Sequence, residues 1–106
     1  MSTEIRGKSD PALQAIVNAL ANYEADHPRA EIVAYRHGSV SIRVRIVDPD
    51  LAGTSRSDRH DKVWSYLEPL PEDILSQISI LLPLTPDEEP TSIGSLDFDH
   101  PLPTRL

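Results

Sequence analysis

The sequence predicts an α/β fold of the two-layer α+β kind, in the order helix, strand, strand, helix, short helix, strand, with one three-stranded mixed sheet and its helices on one face. Three observations carry this. Val40, Ile42, Val44 and Ile46 alternate with Ser41, Arg43 and Arg45, the period of a strand with one wet face. Leu13, Ile16, Val17, Leu20 and Ala21 fall at helical spacing and form one apolar stripe. Between strand and second helix lies a turn segment, Asp48-Pro49-Asp50 to Gly53, followed by Ser55 as N-cap with Asp58 three residues on.

In chain order, residues 1–9 read as a flexible lead-in. Asp10-Pro11 starts the first helix, since Asp caps and Pro suits the first helical position. That helix fades near Asp26-His27, because Pro28 pushes its predecessor out of the α region. Glu31 to Tyr35 is a short strand, His37-Gly38-Ser39 a turn, and Val40 to Val47 the next strand, so the two form an antiparallel hairpin. The second helix runs from Ser55 to about Leu67, with Val63 and Leu67 facing inward together with some of His60, Trp64 and Tyr66. Pro69 and Pro71 end it, and Pro71 opens a short helix over residues 72–77. Ile78, Ile80, Leu82 and Leu84 alternate with Ser79, Leu81 and Pro83 in a third strand, which Pro83 places at a sheet edge. A right-handed crossover makes it parallel to the second strand. The open face of the sheet then shows Ser41, Arg43 and Arg45. Residues 10–88 form the domain. Residues 89–106, rich in Pro and acid, read as a disordered tail.

A chain of 106 residues is one domain with a single modest core. It has no cysteine, which excludes disulfides and thiolate catalysis. No run of about 18 apolar residues is present to span a membrane. MSTEIRGKSD lacks an apolar signal region, so a cytoplasmic protein is expected. The net charge of −7 argues against non-specific nucleic-acid binding by the whole chain. That charge is unevenly spread. Residues 36–62 hold six Lys/Arg and four Asp/Glu, whereas residues 68–99 hold eight acidic residues and neither Lys nor Arg.

The centre of the chain resembles the BolA family. The resemblance rests on the strand VSIRVRIVD, the loop DPDLAG with Gly53, the serine after it, the Arg59-His60 pair opening the helix RHDKVWSYL, and the closing strand that ends in Leu84-Thr85-Pro86-Asp87-Glu88. It covers roughly residues 10–88. It implies an αββααβ fold like a class II KH domain and a role as a partner of monothiol glutaredoxins in iron–sulfur cluster handling. Stress-responsive regulation and DNA contact are also ascribed to such proteins. The family's cluster-ligating histidine at the start of the last strand falls on Gln77, whose amide is a poor ligand for a soft cluster. The short hairpin loop offers only His37, a weak metal candidate. The resemblance thus implies a non-enzymatic adaptor that binds no cofactor alone and shares at most a [2Fe–2S] cluster with a glutaredoxin. His37, Gly53, Arg59, His60 and Gln77 are its expected partner-binding residues.

The alternative is a KH-like nucleic-acid binder using Arg43, Arg45, Arg56 and Arg59, with phosphate at the second helix's N-terminus. KH domains use a Gly-x-x-Gly loop, and none occurs here. His27 at a helix end reads as structural, His60 as structural or partner-binding, and His100 in the tail carries no assignment. Asp48, Asp50, Asp58 and Asp61 are carboxylates that suit a hard cation but lack EF-hand spacing, so capping and surface pairing explain them better. Ser55 and Ser57 beside His60 form no recognised nucleophile motif, and no enzyme is expected.

Overall fold

Every helix and strand expected from the sequence is present, and one element is added at each end. The computed structural model describes residues 2–99. The elements run β1 (Ser2–Arg6), α1 (Pro11–Asp26), β2 (Glu31–His37), β3 (Ser41–Val47), a 3₁₀ turn (Pro49–Leu51), α2 (Arg56–Leu67), α3 (Glu72–Leu75), β4 (Ile78–Leu84) and α4 (Ile93–Asp99). The sheet has four strands in the order β1-β2-β3-β4. The hairpin is antiparallel, β3 and β4 are parallel, and β4 is an edge, as the pattern and Pro83 require.

The helix layer packs as the stripes dictate. Leu13, Ile16 and Leu20 of α1 are fully buried against Ile32 and Ala34 of β2 and Ile42, Val44 and Ile46 of β3, and α2 adds Val63 and Leu67. Each such aliphatic side chain contributes roughly 1.5–3 kcal/mol relative to exposure. The starts of both long helices are tied. The Asp10 carboxylate accepts from the Leu13 N–H at 3.0 Å, and the Ser55 hydroxyl accepts from the Asp58 N–H at 3.1 Å.

Three expectations are corrected. The lead-in is not free, because residues 2–6 form β1, parallel to β2, with Ile5 against the core and the Thr3 hydroxyl donating to Glu24 at 2.8 Å. The sheet is therefore four-stranded. The tail assigned to residues 89–106 carries α4, and Phe98 on it is fully buried. Its last residues, including His100, lie outside the described range. Finally, the helices are not confined to one face. α4 lies over the face that holds Arg43 and Arg45, because Asp97, Asp99 and Glu89 pair with those guanidiniums.

β4 also departs from simple alternation. Its pairing with β3 shifts between Ile42 opposite Ile78 and Arg43 opposite Ile80, leaving Ser79 as an extra residue. Ile78 and Leu81 thus pack on the helix side, while Ile80, Leu82 and Leu84 turn to the face under α4. The short helix ends at Leu75 rather than residue 77. No helix among the described residues is long and apolar enough to cross a membrane.

Candidate functional site

The Arg59-His60 pair opens onto a groove of about 640 Å³ beside β4. Its floor is Leu81 to Leu84, and its rims are the first turn of α2 and the segment 88–94. The preceding loop sets the position of the pair. Asp48 caps the 3₁₀ turn by accepting from the Asp50 N–H at 2.9 Å, and Thr54 donates its hydroxyl to the Leu51 carbonyl at 2.6 Å. Gly53 sits at φ +80° with open space around it, so its backbone conformation, and not crowding, demands glycine.

Arg59 is buried and fully engaged. Its Nε donates to the Thr54 carbonyl at 3.1 Å, and its two terminal nitrogens fork onto the Glu88 carboxylate at 2.5 and 3.2 Å. Glu88 in turn accepts from the Thr85 N–H at 3.0 Å, while its own N–H donates to the Thr85 carbonyl at 3.1 Å. The two bonds close the turn after β4: the Glu88 side chain folds back onto the Thr85 N–H as in one half of a capping box, while the return bond goes to the Thr85 carbonyl and not to its hydroxyl. Glu88 belongs to the closing segment that carries the resemblance but was not among the expected partner-binding residues; the Thr85-Pro-Asp-Glu88 spacing held its signal. His60 is exposed on the rim and stacks on Trp64, ring centroids 5.7 Å apart.

The edge of β4 supplies backbone groups to this groove. The Leu84 carbonyl accepts from the Asp48 N–H at 2.8 Å, so the backbone N–H and C=O groups of Leu84 and Leu82 point to β3. By alternation, Leu81 presents both N–H and C=O outward and Pro83 presents C=O alone. The edge is short and half-blocked.

The five expected partner-binding residues do not form one face. Gly53, Arg59 and His60 lie at the end where β3 and β4 finish. His37 and Gln77 lie at the other end, about 20 Å away by the length of a seven-residue strand. The crossover imposes this separation, since α2 starts where β3 ends and returns the chain to the beginning of β4. His37 pairs with Ser41 across the hairpin. Gln77 is already committed: its Oε1 accepts from Arg36 at 2.9 Å and its Nε2 donates to the Asp73 carbonyl at 3.1 Å. Arg36 also forks onto Asp10, at 2.6 and 3.0 Å.

The nucleic-acid set divides as well. Arg56 and Arg59 line the groove. Arg43 and Arg45, expected on an open face, have side chains only 14% and 6% exposed. The link between α2 and α3, Glu68-Pro69-Leu70-Pro71, has no glycine.

Of the carboxylates weighed for a cation, Asp58 and Asp61 are exposed on α2. Asp48 and Asp50 join His27 in a cluster whose ligand-type atoms lie within 4.8 Å of one another. Its groups satisfy each other: Tyr23 donates to Asp48 at 2.6 Å, and His27 and Arg29 engage Asp50. Those hydrogen bonds, from His27 first and then Arg29, hold the Asp50 carboxyl below its ordinary value. The cluster fastens the end of α1 to the loop after β3, and a guanidinium already occupies the place of a cation.

Two carboxyls here titrate far below the ordinary range. Hydrogen bonds from Arg59, and next the Thr85 N–H, hold Glu88 to about 2 instead of 4.5. Arg36, and next the Leu13 N–H, hold Asp10 to about 2 instead of 3.8. A carboxyl depressed in the folded state adds stability above its unfolded value and loses it as pH falls through the folded value. Stability is therefore expected to be level above about pH 5 and to fall between there and about pH 2. Urea melts at stepped pH check this: Glu88→Gln should flatten part of the fall, and a slope unchanged by Glu88→Gln contradicts it.

No family model, no curated protein and no solved structure matches the chain.

Proposed function

We propose that the chain is a non-catalytic adaptor of the BolA type, which docks a monothiol glutaredoxin-like protein in the groove between the start of α2 and the edge of β4. One observation carries the reading. The Arg59-His60 pair and the closing Thr-Pro-Asp-Glu segment, both parts of the resemblance, meet across that groove through the Arg59–Glu88 fork. Two motifs 29 residues apart thus build a single surface. The floor is apolar and the rim holds a half-exposed carboxylate, an exposed arginine and an exposed histidine, a composition suited to recognition.

Cluster sharing does not fit the residues present. A [2Fe–2S] centre needs thiolate or imidazole ligands. The chain has no cysteine, and the Gln77 amide is held by Arg36 and Asp73. His37, at the hairpin end, is remote from the groove, and His60 on the groove's rim is a single imidazole stacked on Trp64 with no second thiolate or imidazole among the described residues lining the groove. The adaptor is therefore read as one that binds its partner without ligating iron. Calorimetric titration of the full chain against a monothiol glutaredoxin is the test, with visible circular dichroism of the partner's cluster recorded on the same samples. Binding with an unchanged cluster spectrum is expected. Absence of binding by the folded chain removes the reading, and a spectral change lost on His37→Ala or on His60→Ala removes its ligand-free part.

A further inference from the structure

The sheet face turned away from α1 and α2 is basic and aromatic, and the chain covers it with its own acidic segment. Arg6 on β1 stands opposite Tyr35 on β2, Tyr35 opposite Arg43 on β3, and Arg45 follows on the same side. α4 lays Asp97-Phe98-Asp99 across them. The guanidinium carbons of Arg45 and Arg6 stand 4.8 and 5.8 Å from the centroid of the Phe98 ring, and the Tyr35 ring meets it edge-on at 4.9 Å. The Tyr35 hydroxyl donates to the Phe98 carbonyl at 2.6 Å. Asp99 Oδ1 accepts from Arg6 and from Arg45, each at 2.9 Å, and Asp97 reaches Arg43 at 3.4 Å.

This attachment differs from that of a core helix. α4 has seven residues, too few to be stable alone. A buried aromatic ring and a set of charge pairs hold it, while Leu96 is left 53% exposed. The fit also leaves donors unused. Arg43 Nε and Arg45 Nε are buried with no acceptor among the described residues, and the Arg45 side chain is only 6% exposed. Buried N–H groups without partners are costly. An occupant offering two more acceptor oxygens there would satisfy these two donors, unpaired among the described residues.

We propose that the Arg6–Tyr35–Arg43–Arg45 face is a docking site for an acidic–aromatic segment of a partner protein, of the Asp-Phe-Asp kind, which α4 occupies in cis. The occupant defines the chemistry: one aromatic ring between guanidiniums, flanked by carboxylates. The slot between guanidiniums holds one aromatic ring with a carboxylate on each side, the pattern of an Asp-Phe-Asp peptide rather than of a repeating phosphate backbone. A tethered segment competes at an effective concentration on the order of millimolar, so an incoming segment must bind better or arrive with other contacts. The groove supplies such contacts. Thr91, Ser92 and Gly94 form one of its walls, so lifting α4 also alters the groove. The site stands on its own contacts and does not depend on the glutaredoxin reading.

The test uses a fluorescein-labelled peptide of residues 91–99 and the full chain. Phe98→Ala removes the ring that anchors α4 and should raise peptide affinity at least about tenfold over the unchanged chain, whose site is occupied in cis. A peptide carrying Phe98→Ala, or Arg45→Gln added to the opened chain, should abolish binding. Asp97→Asn with Asp99→Asn is the second way to open the site, should the loss of Phe98 impair folding. The proposal is overturned by no peptide binding to a folded, opened chain at about 1 mM. Equal affinity of opened and unchanged chains overturns it too, as does tighter binding of a ten-nucleotide single strand than of the peptide.

Discussion

Asp48→Ala is expected to lower stability by about 2–4 kcal/mol, a large share of what a domain of this size possesses. Asp48 and Tyr23 are both fully buried. One carboxylate oxygen takes the Tyr23 hydroxyl at 2.6 Å, and the other takes the Asp50 N–H at 2.9 Å. Burial, and next the hydrogen bond to Asp48, pushes the Tyr23 phenol well above its ordinary value. Removing the carboxylate leaves a buried hydroxyl without an acceptor, worth about 1–3 kcal/mol, and an uncapped turn, worth about 0.5–2 kcal/mol. It also loosens the fastening to His27, whose ring stacks on Tyr23 at 4.5 Å. Tyr23→Phe deletes the donor and leaves the buried Asp48 Oδ2 with only the His27 ring, 3.7 Å away, so it too should cost about 1–3 kcal/mol. Urea denaturation of both single variants and the double variant gives the coupling energy, expected at 0.5 kcal/mol or more for groups in contact (about the lower bound for such pairs). Additive losses contradict this description of the latch.

Arg59→Ala should act on stability and on binding together. Stability should fall by about 1.5–3 kcal/mol, the range for hydrogen bonds to charged groups. The lost contacts are the fork onto Glu88 and the Nε bond to the Thr54 carbonyl. Glu88 would keep its Thr85 contact, so its carboxyl should rise only part of the way back to its ordinary value. The groove would lose the pair that joins its two rims, and affinity for the partner should drop at least about tenfold, equivalent to about 1.4 kcal/mol. Arg59→Lys should restore little, since an ammonium cannot reproduce a forked contact. Full recovery of binding with Arg59→Lys would mean that charge alone matters at the groove.

The legible parts of the fold were those with a period. The stripe of α1 and the alternation of β3 told which faces meet in the aliphatic core, though not that the opposite face of β3 is covered, and Pro83 fixed the edge. β1 was opaque because residues 2–6 contain one apolar side chain, Ile5, and an edge strand gains its identity from the neighbour it pairs with. α4 was opaque for a different reason. A scan for apolar periodicity cannot see a helix held by Asp97, Asp99 and a single Phe98. The visible clue was the charge asymmetry: a basic middle and an acidic last third are what a chain needs if its end is to fold back on its centre. Arg43 to Asp97, Arg45 to Glu89 and Asp99, and Arg59 to Glu88 are that complementarity realised. The candidate site was half legible. Motif reading found Arg59 and His60, grouped them with His37 and Gln77 from the far end of the sheet, and left Glu88 of the closing segment outside the site, because sequence distance does not reveal where a crossover returns.

The most direct measurement is a calorimetric titration of the full chain with a monothiol glutaredoxin at about 100 μM, run for the unchanged protein, His60→Ala and His37→Ala. His60 and His37 mark opposite ends of the sheet, and His60, on the exposed rim, can be changed at little cost to the fold. Docking in the groove predicts saturable binding weakened about fivefold or more by His60→Ala and left within about twofold by His37→Ala. Binding that depends on His37 and ignores His60, or no binding by the folded chain, contradicts it.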